Sequence, residues 1–159
     1  MNIFKRLIFK LTNPKEYRTY MNTQAVNSNG SARVDGHCIL AHPENIYIDD
    51  GSFINGGRIF ASKNAKIVIG KNCMISYDVH LRTDAHNYEK KDIPMKEQGM
   101  READIIIGDD VWIGYGAQVM SGVKMADGSV LGAGGVLTHD TEAYGVYAGV
   151  PARLIKYRE

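Results

Sequence analysis

An all-β solenoid, a parallel β-helix made of six-residue units, is the fold this sequence predicts, and three observations carry the prediction. Aliphatic residues recur at every sixth position, at Ile69, Ile75 and Leu81 and again at Ile107, Ile113, Val119, Met125, Leu131 and Leu137. Four places after each stands a small or β-branched residue: Cys73, Val79 and Ala85, then Val111, Ala117, Val123, Ser129, Gly135 and Thr141. Glycine follows the aliphatic residue at Gly70, Gly108, Gly114 and Gly132, where a turn with unusual dihedrals or a close backbone approach would use it. A helix repeats at 3.6 residues and a strand at two, so a period of six implies a short strand plus a corner. One such unit cannot close a core. Stacked units bury a continuous column and satisfy one another's backbone groups. Antiparallel hairpins in a sandwich would show strict alternation and variable turn spacing instead.

With 159 residues, 44% of them hydrophobic, the chain fits one domain. Its formal charge of +1 gives no broad single-sign field and so no case for nucleic acid as a partner. In the opening segment Ile3, Phe4, Leu7, Ile8 and Leu11 fall at helical spacing, Lys5, Arg6 and Lys10 stand between them, and Asn13 and Pro14 mark the end. This short amphipathic helix would cover an end or edge of the core, or a neighbouring subunit. Its cations also allow peripheral membrane contact through residues 1–12. Residues 1–22 are assigned to this helix and its extension, and residues 23–159 to the β-helix, with a tail at 148–159. A fainter repeat, Ile48, Ile54 and Phe60, slips by three residues before Ile69. Cys38 and Cys73 lack metal-type spacing and read as buried free thiols of a reducing compartment. No apolar run reaches the length that spans a bilayer, and the basic residues interrupt any secretory pattern, so a cytoplasmic location is expected.

Residues 105–156, IIIGDDVWIGYGAQVMSGVKMADGSVLGAGGVLTHDTEAYGVYAGVPARLIK, resemble the C-terminal half of the hexapeptide-repeat acyltransferases. The resemblance is nearest to the branch of galactoside, maltose and nodulation-factor O-acetyltransferases and their surface-polysaccharide relatives. The elements V-W-I-G, G-A-G and A-G-x-P-A-R, in that order, carry it, and it extends over roughly residues 46 to 156. It implies a left-handed β-helix with three hexads per coil, a homotrimer with an active site in each cleft between subunits, and acetyl-CoA as donor.

With three hexads per coil, the 38 residues from Ile69 to Ile107 are one 18-residue coil plus a 20-residue excursion. Loop-closure entropy grows slowly with length, so the stack can continue beneath it. The excursion is charged and contains Pro94 and Gly99, and we expect a protruding loop over residues 87–103, the kind of ordered loop that often carries function. In the resembling family this loop reaches a neighbouring subunit and helps wall the acceptor pocket. His86 closes the last hexad before the excursion, in Thr83-Asp84-Ala85-His86, and matches the family's catalytic histidine. Moving an acetyl group from a thioester to a sugar hydroxyl requires a base at neutral pH, and an imidazole suits that task. Asp84 would orient the imidazole or hold an acceptor hydroxyl, and Asn55, in FINGGR, stands about where the family places an acceptor-contacting side chain. A solvated corner aspartate and a turn asparagine are the plainer readings of these two.

His80 raises a zinc hypothesis, since the gamma-class carbonic anhydrases bind zinc with histidines on the same fold. One coil on, the positions matching His80 and His86 hold Gln118 and Lys124, and His37, His42 and His139 show no ligand spacing, so no metal site is expected. Coenzyme A calls for a groove of small residues finished by cations. The resemblance carries CoA contact onto Ala133, Thr138, His139, Arg153 and Lys156, and the WIGYG and GAGG stretches add Trp112, Gly114 and Gly134. His139 stands where lysine is common and Lys156 where arginine is common, which softens the phosphate-side charge. From the residues alone, the glycines would serve corners and the cations a solvated C-terminus.

The resulting expectation is an acetyl-CoA-dependent O-acetyltransferase acting on a sugar, of the kind found in surface polysaccharide precursors, with His86 as general base. Alternatives are N-acetylation of an amino sugar, O-acetylation of serine or a xenobiotic, and a non-catalytic trimeric scaffold.

Overall fold

In the computed structural model, which describes residues 3–159, the six-residue rhythm becomes three faces wound into five coils. Residues 1 and 2 of the expected N-terminal segment lie outside the described residues. Helices α1 (Ile3–Thr12) and α2 (Pro14–Ala25) come first. Coil one holds β1 (Asn27–Ser28), β2 (Arg33–Val34) and β3 (Cys38–Ala41). Coil two holds β4 (Ile46–Ile48), β5 (Phe53–Ile54) and β6 (Gly57–Phe60), and coil three β7 (Ile67–Ile69), β8 (Met74–Ile75) and β9 (Val79–Arg82). The chain then leaves through β10 (Asp84–His86) and returns through β11 (Met100–Glu102). Coil four follows with β12 (Ile105–Ile107), β13 (Trp112–Ile113) and β14 (Gln118–Val119), and coil five with β15 (Lys124–Met125), β16 (Val130–Leu131) and β17 (Val136–Leu137). A hairpin of β18 (Gly145–Gly149) and β19 (Ala152–Tyr157) closes the stack.

Register explains the core. Ile48, Ile69, Ile107 and Met125 pair in a column down the first face, Ile54, Ile75, Ile113 and Leu131 down the second, and Ile59, Leu81, Val119 and Leu137 down the third. All twelve are buried, each contributing roughly 1.5–3 kcal/mol relative to exposure. Ile69 pairs directly with Ile107, so the stack does run on beneath the excursion.

Two readings of the repeat are corrected by the structure. Ile59, not Phe60, enters the third column: the corner at residues 55–57 is one residue short, and Gly57, at φ 123°, has its α-carbon so close to Val79 that a β-carbon would meet the Val79 nitrogen at 2.7 Å. Ala85 belongs to the hairpin rather than to the column, because the chain turns away after buried Thr83. The excursion protrudes as expected, and its base is a short β-hairpin whose strands pair antiparallel from Asp84 opposite Glu102 to His86 opposite Met100. The tail at 148–159 is mostly strand, pairing antiparallel with β18 at the end of the second sheet.

A second helix also replaces the expected extension, and it runs beyond residue 22. Helix α2 caps the open end of coil one by supplying partners to its backbone. The Val34 and Gly36 N–H groups donate to the hydroxyls of Thr23 (2.9 Å) and Thr19 (3.0 Å), and Asn22 Nδ2 donates to the carbonyls of Asp35 (2.8 Å) and Cys38 (3.1 Å). Helix α1 packs on α2, and no residue of it is buried. Among the described residues, no helix is long and apolar enough to cross a membrane.

Candidate active site

The third corner, where the chain passes from the third face back to the first, holds His86. Its neck is fastened by Thr83, whose hydroxyl donates to Ser62 Oγ (2.9 Å) and whose carbonyl accepts from the Ala103 N–H (2.9 Å) and the Ser121 hydroxyl (2.7 Å). Beyond the neck, the Gln98 side chain ties the hairpin to itself, donating to the Lys90 and Ile93 carbonyls and accepting from the Lys90 N–H. Arg101 pairs with Glu89 (3.2 Å) and lies over the Tyr88 ring. The excursion is therefore an ordered arm on a rigid base.

His86 is exposed, and among the described residues its imidazole has no hydrogen-bond partner. Asp84 does not hold it. Both Asp84 oxygens face Arg82, whose Nε and Nη2 donate at 2.6 and 3.3 Å, and this pairing is the largest of the effects that hold the Asp84 carboxyl below the usual range. In an extended strand, residues two apart share a face, so Arg82, Asp84 and His86 form a row with the cation and anion already matched. Asp84 also lines a cleft of about 240 Å³ beside Phe60, Lys63, Arg82 and Glu102.

Asn55 lies at the second corner, on a different edge of the prism. Its Oδ1 accepts from Arg33 Nη2 (3.0 Å), and it lines a polar cleft of about 340 Å³ with Lys15, Glu16, Arg33, Asp35 and Tyr77. One chain alone does not bring Asn55 and His86 together. At the mouth of this cleft stands a pair that sequence reasoning passed over: Asp35 Oδ1 accepts from the His37 N–H (3.0 Å) and meets His37 Nδ1 at 2.6 Å, while Oδ2 faces Arg33 (3.3 Å). Burial alone would raise the Asp35 carboxyl; the His37 hydrogen bonds and the His37 and Arg33 charges outweigh it, leaving the group below its ordinary value. The signal was present, since Arg33-Val34-Asp35-Gly36-His37 and Arg82-Thr83-Asp84-Ala85-His86 share the pattern R-x-D-x-H.

The residues expected to hold CoA divide among three places. Trp112, half exposed at 49%, and Lys156 share a cleft of about 590 Å³ on the outer second face with Met74, Val130, Val146 and Arg158. Arg158 was missed; it donates to Asp110 Oδ2 (3.0 Å) and to the Gly128 carbonyl (2.9 Å). Arg153, on β19 with Lys156, donates to the carbonyl of Ala152. Ala133 and Gly134 form the second corner of coil five. Gly114 is needed for stacking, because a β-carbon there would stand 2.6 Å from the Ala133 nitrogen. Thr138 and His139 bond each other at 2.8 Å on the third corner, away from the Trp112 cleft. The apolar wall could have been read from the repeat: Phe53, Met74, Trp112 and Val130 each precede an inward residue of the second column.

His80 sits on the outer third face between Arg58 and Gln118 in register, with its ring edge-on to Phe60 at 5.8 Å. Burial foremost, then the Arg82 and Arg58 charges, lowers its pKa, which keeps the imidazole neutral. Among the described residues no three His, Cys, Asp or Glu side chains are grouped to hold a metal ion.

Comparison with known proteins agrees with this architecture. The family described as "Bacterial transferase hexapeptide (six repeats)" matches residues 104–139. The galactoside O-acetyltransferase of Escherichia coli (strain K12) is 37% identical over 119 residues, 70% of this chain and 57% of that protein. A chloramphenicol acetyltransferase of Morganella morganii is 45% identical over 58 residues, 36% of this chain and 28% of that protein. The solved structure of a galactoside acetyltransferase in complex with coenzyme A superposes with a TM-score of 0.79 at 28% identity, covering 96% of this chain and 76% of that one. The chain spans little more than half the length of the curated galactoside relative it matches.

Proposed function

Since the chain belongs to the hexapeptide-repeat acetyltransferases, we propose that it transfers an acetyl group from acetyl-CoA to a sugar hydroxyl, of the kind carried by surface polysaccharide precursors, in the cytoplasm. The observation that carries this reading is the exposed His86 imidazole, without a hydrogen-bond partner among the described residues and mounted at the foot of an ordered arm. Acetyl-CoA supplies the activated acyl group as a thioester. His86 takes the proton of the attacking hydroxyl as the new C–O bond forms, then passes it to the sulfur as the C–S bond breaks. The Trp112 cleft, with Lys156 and Arg158 at its rim, fits a ligand that has both an apolar arm and an anionic end. The Asn55 cleft, where carboxylate, guanidinium and amide groups converge, fits a polyhydroxylated acceptor.

Asn55 and His86 occupy different edges of one prism, so a homotrimer that sets the arm of one subunit against the second corner of its neighbour supports joint action. The half-exposed Trp112 and its apolar neighbours on the second face suit such a contact, since large exposed apolar patches mark interfaces. A second reading, acetylation of a xenobiotic alcohol, is favoured by the stretch shared with the chloramphenicol enzyme.

Release of free CoA, followed against a panel of sugars, amino sugars, serine and chloramphenicol, tests both readings. Transfer to a sugar that falls sharply in His86→Ala is the expected result. Equal rates for wild type and His86→Ala would remove His86 from the mechanism, and the absence of any thermal shift with saturating acetyl-CoA would remove the donor.

A further inference from the structure

Helix α1 turns its apolar side away from the rest of the protein. Ile3, Phe4, Leu7, Ile8 and Leu11 are all exposed, from 48% for Ile8 to 87% for Ile3. At 3.6 residues per turn these five share one side of the helix, and Phe9 and Arg6 lie opposite. That opposite side is the one docked on α2: Phe9 packs edge-on to Tyr17 at 6.2 Å, and Arg6 donates to the Tyr17 hydroxyl (3.1 Å) and to Met21 Sδ (3.0 Å). The attachment therefore fixes the orientation of the helix and leaves its apolar side outward. Lys10 falls on the margin of that side, next to Ile3 and Leu7 around the helix. Across residues 3–25 the only acidic side chain is Glu16, against Lys5, Arg6, Lys10, Lys15 and Arg18.

We propose that α1 docks the protein on an anionic membrane surface, its five apolar side chains entering the headgroup region while Lys10 and the basic residues of the helix pair meet lipid phosphates. The arrangement of an apolar side bordered by cations is the one that lies in a bilayer interface, and cations near an anionic leaflet are drawn to it. A second copy of the chain is the poorer occupant, because pairing two such sides would bring the basic excess of each helix pair against that of the other.

The full chain is mixed with phosphatidylcholine vesicles, with and without phosphatidylglycerol, at millimolar lipid and sedimented. Wild type is expected on the phosphatidylglycerol vesicles and to leave them as salt rises. The double variant Leu7→Ser/Leu11→Ser is expected to partition roughly 10²-fold more weakly, and Lys10→Glu roughly tenfold more weakly. Circular dichroism should match wild type, since both leucines are already exposed. The proposal is overturned by wild type that stays in solution, by equal partitioning of wild type and Leu7→Ser/Leu11→Ser, or by equal binding to neutral and anionic vesicles. It is also overturned if Leu7→Ser/Leu11→Ser forms a smaller oligomer by light scattering, which makes the face a subunit contact. The readout involves no acetyl transfer and stands independently of the enzymatic reading.

Discussion

Two R-x-D-x-H stretches, at residues 33–37 and 82–86, are alike in sequence and opposite in structure. In the first the aspartate bridges arginine and histidine; in the second the arginine takes both carboxylate oxygens and the histidine is left to solvent. The backbone decides. Residues 35–38 form a tight corner, with the Cys38 N–H donating to the Asp35 carbonyl (3.0 Å), so the chain curls His37 back onto Asp35. Residues 84–86 are extended in the arm, which keeps Asp84 and His86 on one face but apart. A corner that locks its histidine builds structure, whereas a strand that presents an unlocked histidine at the root of an ordered arm leaves an imidazole that the proposed transfer can use.

The sharpest way to break this contrast is to remove each histidine in turn. His86→Ala should lower kcat by roughly 10²–10⁴-fold with little change in melting temperature, and His37→Ala should show the reverse order of effects. Equal loss of rate in both variants, measured by CoA release, would end the distinction. Next in size is the middle residue. A β-carbon at Gly36 would stand 2.6 Å from Arg18 Cβ and 3.0 Å from the Thr19 nitrogen on α2, so Gly36→Ala should cost about 1–3 kcal/mol in denaturant unfolding. Ala85→Gly, in the arm, should cost no more than about 0.5–1 kcal/mol.

Much of the fold was legible in the sequence because a column of inward residues leaves a strict period. The clear hexads from Ile107 to Leu137 and the 20-residue excursion rest on spacing alone, and register bears both out. The faint hexads misled by one residue at Phe60, since a shortened corner built on Gly57 is invisible to a count of six. The protruding arm was legible, but the two strands at its base were not, because they are only three residues each and show no alternation that a half-buried strand would have. The candidate site could be read as residue types but not as partnerships. Asp84 beside His86 suggested an oriented imidazole, and only the geometry reveals that Arg82 has claimed the carboxylate. The Asp35–His37 pair was equally open to reading but hid in a corner where nothing in the spacing set it apart.

Acid provides a milder test of the same contrast. The Asp35 carboxyl is buried and titrates below its ordinary value. A carboxylate with a depressed folded pKa adds stability above its unfolded value near pH 4, and that contribution is lost as pH falls through the folded value. Stability measured by urea unfolding should therefore drop below about pH 4, and Asp35→Asn should flatten that drop by about 1 kcal/mol. An unchanged acid limb would mean that the corner does not depend on the charged form.

Smallest of all should be the effect of Asp84→Asn. Its carboxyl is likewise held low, mainly by Arg82, so its contribution has the same sign and vanishes over the same acid range. The pair lies nearer water, however, with the Arg82 side chain 46% exposed, and such pairs are worth about 0.2–1 kcal/mol. Because Asp84 does not touch the imidazole, the variant should keep its rate within about threefold of wild type and leave the pH–rate profile in place. A loss approaching that of His86→Ala, accompanied by a displaced profile, would show that Asp84 leaves Arg82 for His86 when substrate binds, and the two R-x-D-x-H stretches would then be alike in the working enzyme.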